Sequence, residues 1–159
     1  MAKINWLKLG AFILVCELAG IIGSFFTFEA IPTWYAGLQK PFFSPPNWLF
    51  GPVWTTLYAL MGIAAYIIWE KGIGKKPVKQ AMVLFAAQLV LNATWSIIFF
   101  GMRSPALAFA CILLLWLAIA ATIQSFYRID RRAACLLLPY ILWVSFAALL
   151  NLMIWGLNA

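Results

Sequence analysis

Histidine is absent from this 159-residue chain, and acidic residues number only four. Without histidine the usual haem ligand, the usual zinc ligand and the usual general base are missing together. Hydrolytic chemistry of a familiar kind therefore has no candidate catalytic residues, and no metal site or resident cofactor is expected. Cysteine is scarce too. Cys16, Cys111 and Cys135 are odd in number, widely spaced and set in apolar surroundings, so they read as small buried hydrophobes rather than a disulfide or metal cluster. Charged residues make up 9% of the chain against 66% hydrophobic, with a mean hydropathy of +0.98. That balance excludes a soluble domain and, with it, a nucleic-acid partner. Also missing is the apolar–polar alternation of transmembrane strands, which excludes a barrel.

What the chain does have is five continuous apolar runs, over residues 6–28, 47–69, 79–101, 105–127 and 133–157. Each reaches the ~20 residues that a helix needs to cross a bilayer. The expected fold class is an all-α integral membrane protein: one domain over residues 1–159, built as a five-transmembrane-helix bundle. The connections contain Pro or Gly, or carry charge. With five spans, the N-terminus and the second–third and fourth–fifth connections share a side. Lys3, Lys8, Lys71, Lys75, Lys76, Lys79, Arg128, Arg131 and Arg132 fall there, against Lys40 and Arg103 opposite. This bias predicts a cytoplasmic N-terminus in a prokaryotic cell membrane, and it makes the net charge of +7 a product of topology. Membrane lipids, anionic headgroups above all, are the expected partners of the basic turns. The first run is too long for a signal peptide, carries Glu17 and lacks a clear cleavage site.

Between the first two runs lies Trp34-Tyr35-Ala36-Gly37-Leu38-Gln39-Lys40-Pro41-Phe42-Phe43-Ser44-Pro45-Pro46. Pro41, Pro45 and Pro46 rule out a regular helix there, yet the stretch is too aromatic for a solvated linker. It reads as a lid over a space between helices. Polar and aromatic stripes support that reading. Gln88, Asn92, Trp95, Ser96 and Phe99 recur at three- and four-residue steps in the third run. Tyr140, Trp143, Ala147 and Asn151 do so in the fifth, and Trp54, Tyr58, Met61 and Ala65 in the second. Amides are penalised in hydrocarbon, so these stripes should face the bundle interior. Helical rise puts Trp54, Tyr58, Asn92 and Trp143 at roughly 15–24 Å from the basic side, in the half of the membrane nearer the loop. Such stripes serve packing as readily as binding; the loop at the same end favours a pocket. Glu17, at mid-span on a face with Gly20 and Ser24, reads either as a ligand contact or as a neutral carboxyl bonded to an interior partner such as Gln88. Trp6, Trp48 and Trp69 read as interfacial anchors, and the small-residue spacings Ala19-x3-Gly23 and Gly20-x3-Ser24 as sites of close helix approach.

Taken together, these residues resemble the TspO/MBR family, the tryptophan-rich sensory or translocator proteins that include the peripheral benzodiazepine receptor. The resemblance rests on Trp34-Tyr35, Lys40-Pro41, Ser44-Pro45-Pro46, Phe50-Gly51-Pro52-Val53-Trp54, Leu57-Tyr58, Leu91-Asn92, Trp95-Ser96, Phe99-Phe100-Gly101, Pro139-Tyr140, Trp143-Val144-Ser145-Phe146-Ala147 and Leu150-Asn151. It implies a five-helix bundle, commonly a homodimer, with a pocket under the first loop for porphyrins, notably protoporphyrin IX, and for benzodiazepine-type drugs. Trp54, Asn92 and Trp143 match the family's pocket residues, and Trp34 with Pro45-Pro46 its loop. No Lys or Arg follows Tyr140, so the family's sterol-recognition pattern is incomplete and a sterol partner is not expected. The combined expectation is a membrane receptor or carrier for a flat tetrapyrrole, acting in tetrapyrrole regulation or stress response. Its ligand-binding set comprises Trp34, Trp54, Tyr58, Gln88, Asn92, Trp95, Trp143, Ala147 and Asn151. The alternative is light-dependent degradation of bound porphyrin using Trp54 and Trp143. A transporter built on internal repeats is disfavoured, because no convincing repeat appears among the five spans.

Overall fold

Helix boundaries follow local chemistry. In the computed structural model, which describes residues 4–159, helix α1 spans Trp6–Ala30 and is capped by Asn5, whose side chain accepts the Lys8 N–H. After a single 3-10 turn at Tyr35–Gly37, α2 runs over Asn47–Trp69. Helix α3, Lys76–Ser96, starts three residues earlier than the expected 79, because Pro77 occupies its first turn, where a missing N–H is harmless. Helix α4 spans Pro105–Ile129, α5 is the short Arg131–Leu136, and α6 covers Leu138–Asn158. Pro105 and Pro139 occupy the first turns of α4 and α6, while the Asp130 carboxylate caps α5 by accepting the Arg132 N–H. Among the described residues there is no strand.

Five stretches are long and apolar enough to cross a membrane, as the composition requires. Two of them are not the regular helices expected. The third widens at its end into a π turn, Ile97–Gly101, closed by the Met102 N–H donating to the Ile97 carbonyl at 2.9 Å. The fifth breaks at Leu137 into α5 and α6, two residues before a proline ring that a continuous helix could not accommodate.

That break shapes the bundle. Helix α1 packs on α2 and α3, α3 on α4, α4 on α6, and the short α5 on α2. Helix α6 makes no extensive backbone contact with α1 or α2. The bundle therefore closes at the end where α5 lies and stays open at the other. Three contacts draw the basic end together: the Asn5 N–H donates to Tyr66 Oη at 3.0 Å, Lys8 pairs with Glu70 at 2.8 Å, and Lys71 pairs with Asp130 at 2.5 Å. A principal core of Met61, Ile68, Ile112, Leu115, Ile119, Phe126 and Val144 fills the middle. A smaller cluster of Tyr35, Phe99, Ala108, Leu150 and Ile154 lies toward the loop. Leu7, Leu14, Val90, Leu117 and Leu142 remain exposed, as residues facing acyl chains should.

Helix α1 comes close enough to α2 that a Cβ on Gly62 would sit 2.5 Å from the Ile13 Cα. Backbone on the far side cannot give way as a flexible side chain could, so Gly62→Ala should cost about 1–3 kcal/mol. Gly10 faces open space, and Gly10→Ala should leave the melting temperature in detergent unchanged. A second expectation concerns acid. The Lys71 ammonium bonded to Asp130, aided by the Arg132 N–H, holds that carboxyl below its usual range. A depressed carboxyl stabilises the fold above its unfolded value of ~3.9 and loses that contribution as pH falls through the lower folded value. Asp130→Asn should therefore melt below wild type at neutral pH, with the gap closing below about pH 4.

Candidate functional site

The open end of the bundle encloses a cavity of about 570 Å³, walled by α1, α2, the end of the third span and α6. Its size falls within the ~300–1,000 Å³ of ordinary ligand pockets. Its walls are mostly apolar, and its exposed edge is formed by Ile21 and Phe28 of α1 and by Asn47, Trp48, Gly51 and Thr55 of α2. The cavity thus reaches the surface between α1 and α2.

A chain of buried polar groups lies beneath the wall. Tyr58 Oη donates to Asn92 Oδ1 at 2.5 Å, Asn92 Nδ2 donates to Tyr140 Oη at 3.0 Å, and Tyr140 Oη donates to Gln88 Oε1 at 2.8 Å. It joins α2, α3 and α6 at a level where no water is at hand to replace a missing partner. Above it, the Trp54 indole stacks on Tyr58 at 5.5 Å between ring centres, 28° from parallel, with the Tyr140 ring edge-on at 6.3 Å. One turn further along the same two helices, Trp143 packs against Phe50 and Phe146. Its Nε1 is buried without a partner in the protein. Trp95 stacks on Phe99 at 5.2 Å and donates through Nε1 to Asn151 Oδ1 at 3.1 Å. Asn151 Nδ2 in turn donates to the Pro105 carbonyl at 2.7 Å. These rings are held by hydrogen bonds and stacking at their backs, which leaves faces for a ligand.

Of the residues singled out from sequence, Trp54, Tyr58, Trp95, Trp143, Ala147 and Asn151 line the cavity. Asn92 and Gln88 do not: both are almost fully buried, Asn92 bonded through both amide atoms and Gln88 through Oε1 alone, its Nε2 having no partner in the protein. They position wall residues instead of facing the space. Trp34 is likewise outside the wall and packs edge-on against Phe99. The loop also acts differently from the expected proline lid. Pro41, Pro45 and Pro46 lie outside the wall, and the loop's contribution is Tyr35, a buried ring set against Phe99 and Phe100 with the Lys40 ammonium 4.7 Å from its centre. Burial pushes the Tyr35 phenol above its usual pKa. The loop is fastened to α6 by paired bonds: the Gln39 N–H donates to Asn158 Oδ1 at 3.0 Å, and Asn158 Nδ2 donates to the Gln39 carbonyl at 2.9 Å.

Of the two readings open for Glu17, the structure places it on the cavity wall and not against Gln88. The Gln88 carbonyl oxygen expected to meet it accepts from Tyr140 instead. The carboxyl lines the cavity and joins neither of the two ion pairs among the described residues. The shared face of Glu17, Gly20 and Ser24 was the available signal, since all three lie on the α1 wall. Gly20 makes room for Tyr58, whose ring carbon would be 2.3 Å from an added Cβ. Trp48, whose place near a span end predicts an interfacial anchor, also stands at the cavity's edge, 71% exposed. Among the described residues no three metal-ligating side chains cluster. The site can hold a flat apolar body between indole faces and offer it a few hydrogen bonds.

Residues 12–156 match the TspO/MBR family. The chain is 48% identical over 155 residues to the tryptophan-rich protein TspO of Archaeoglobus fulgidus, covering 98% of this chain and 99% of that one. It is 41% identical to the human translocator protein over 155 residues, 96% of this chain and 91% of the relative. Against the tryptophan-rich sensory protein of Cereibacter sphaeroides it is 35% identical over 157 residues, 98% of this chain and 94% of the relative.

The polar chain yields a direct test. Tyr140→Phe would leave Asn92 Nδ2 and Gln88 Oε1 without partners, at an expected cost of about 1–2 kcal/mol. Detergent unfolding curves should register that loss although the ring and its packing are kept.

Proposed function

The chain belongs to the TspO/MBR family of integral membrane proteins, and from that premise we propose that its cavity binds metal-free porphyrins of the protoporphyrin IX type and related flat amphipathic ligands. The observation that carries the reading is that Trp54, Trp95 and Trp143, from three different spans, line one apolar space. Indole faces stacking on a macrocycle contribute ~0.5–1.5 kcal/mol per pair beyond burial. The unpartnered Trp143 N–H is a donor for a polar edge of the ligand. Glu17 would repel a ligand carboxylate, so the propionates of a porphyrin turn toward the loop end, where Lys40 lies. With no histidine in the chain, axial coordination of iron has no usual ligand, which favours the free porphyrin over haem. In the cell such binding serves to regulate or buffer a photosensitising pigment, in a prokaryotic membrane with the basic end cytoplasmic.

Oxidative breakdown of the bound porphyrin, with light as the energy source and dioxygen as oxidant, is a second reading. It is favoured by the same indoles, which stand beside any ligand in the cavity and can take part in redox chemistry. No acid–base pair is needed for it.

Titrating protoporphyrin IX against tryptophan fluorescence in detergent tests the first reading. Trp54→Ala and Trp143→Ala should each raise Kd about 2–10-fold or more; unchanged affinity in both would overturn it. Illuminating the complex while following the Soret band separates the second reading. A new product spectrum that disappears in the two variants supports catalysis, whereas bleaching equal in all three proteins counts against it.

A further inference from the structure

The basic end of the bundle carries a second concavity, far from the aromatic cavity. It is a groove of about 580 Å³ between the start of α3 and the end of α4. Lys79 and Gln80 line it from α3, and Gln124, Ser125 and Arg128 from α4. Its apolar side is made by Val83, Leu84 and Ala121, with Val83 62% exposed. No acidic residue lines the groove, and neither cation belongs to the ion pairs among the described residues. The nearest acid in sequence, Asp130, is already bonded to Lys71.

We infer that this groove is a binding site for an anionic glycerophospholipid. The groups are arranged from polar to apolar along the membrane normal. Lys79 and Arg128 stand within a turn of their helix ends, where headgroups lie, and Val83 and Ala121 lie deeper toward the hydrocarbon. A lipid phosphate between the two cations would take charge-assisted bonds from both, with the guanidinium able to grip two oxygens. The carboxamides of Gln80 and Gln124 and the Ser125 hydroxyl suit the glycerol and ester oxygens. One acyl chain would follow the apolar strip downward. The N-terminal end of α3 adds a favourable dipole for an anion. Basic recesses between spans hold anionic headgroups by this combination of charge and shape. The site differs from the diffuse attraction that any Lys-rich turn exerts, because two helices must contribute cations to one recess.

Native mass spectrometry of the full chain in mild detergent, with phosphatidylglycerol and phosphatidylcholine of matched acyl chains, tests the inference. Wild type should retain phosphatidylglycerol about 10–30-fold better. Lys79→Gln combined with Arg128→Gln should abolish the preference, while Lys75→Gln with Lys76→Gln, an equal charge loss outside the groove, should keep it. Val83→Trp, which fills the apolar strip with both cations intact, should also weaken retention. Melting curves and porphyrin titration should be unaltered in these variants, so this inference and the cavity's function fail separately. Equal loss in both double variants would reduce the effect to diffuse charge and overturn the site, as would equal retention of the two lipids by wild type. Soluble glycerol phosphate binding as tightly as the lipid would replace the lipid with a free phosphate.

Discussion

In hydrocarbon, a polar atom without a partner has nowhere to turn, and the hydrogen-bonded series Tyr58–Asn92–Tyr140–Gln88 answers that constraint for the hydroxyls, the Asn92 amide and the Gln88 oxygen of three helices, with only Gln88 Nε2 left over. Each group needs the next, so α2, α3 and α6 are held in one register at one depth. The cavity's shape depends on this. Tyr58 lines the space and carries Trp54 on its face, and Tyr140, behind the wall, abuts the same indole edge-on. An apolar core alone could bring these helices together, since lipid and leucine are nearly equivalent surroundings, but it would not select a rotation about each helix axis.

Two backbone irregularities then decide where empty space remains. The break at Leu137 lets α5 lie on α2 while α6 leans on α4, so the fifth span closes one end of the bundle and leaves the other apart. The π turn at Ile97–Gly101 sets Phe99 against Trp34, Tyr35 and Trp95, which ties the loop to the wall. Glycines of α1 and α2 permit the remaining close approaches, Gly20 against Tyr58 and Gly62 against Ile13. The outcome is a division of labour along the membrane normal, with aromatic surface and an opening between α1 and α2 at one end and cations with paired acids at the other.

Much of this was readable from residue order. Five apolar runs of the right length, their Pro and Gly boundaries and the inward stripes on the second, third and fifth spans all follow from hydropathy and the 3.6-residue period. Periodicity reports a face but not what the face meets. Asn92 and Trp54 therefore looked equivalent, although one is locked behind the wall and the other is part of it. The prolines of the loop fixed its stiffness without saying which of its side chains would reach the cavity, and Tyr35 does so. For Glu17, depth in the span leaves an interior partner and a ligand contact equally open, and the rotation of α1 turns it toward the space.

Sequence by itself determined the solvent, the number of crossings, the absence of any histidine-based chemistry and the set of polar residues that had to turn inward. Those are one-dimensional properties, set by transfer free energies and helical geometry. Tertiary structure decided which inward residues satisfy one another and which are left facing a void. That choice depends on helix rotations of a few tens of degrees, on the break before Pro139 and on the glycine contacts of α1. None of these can be read from a single helix, because each is settled by the neighbour it packs against.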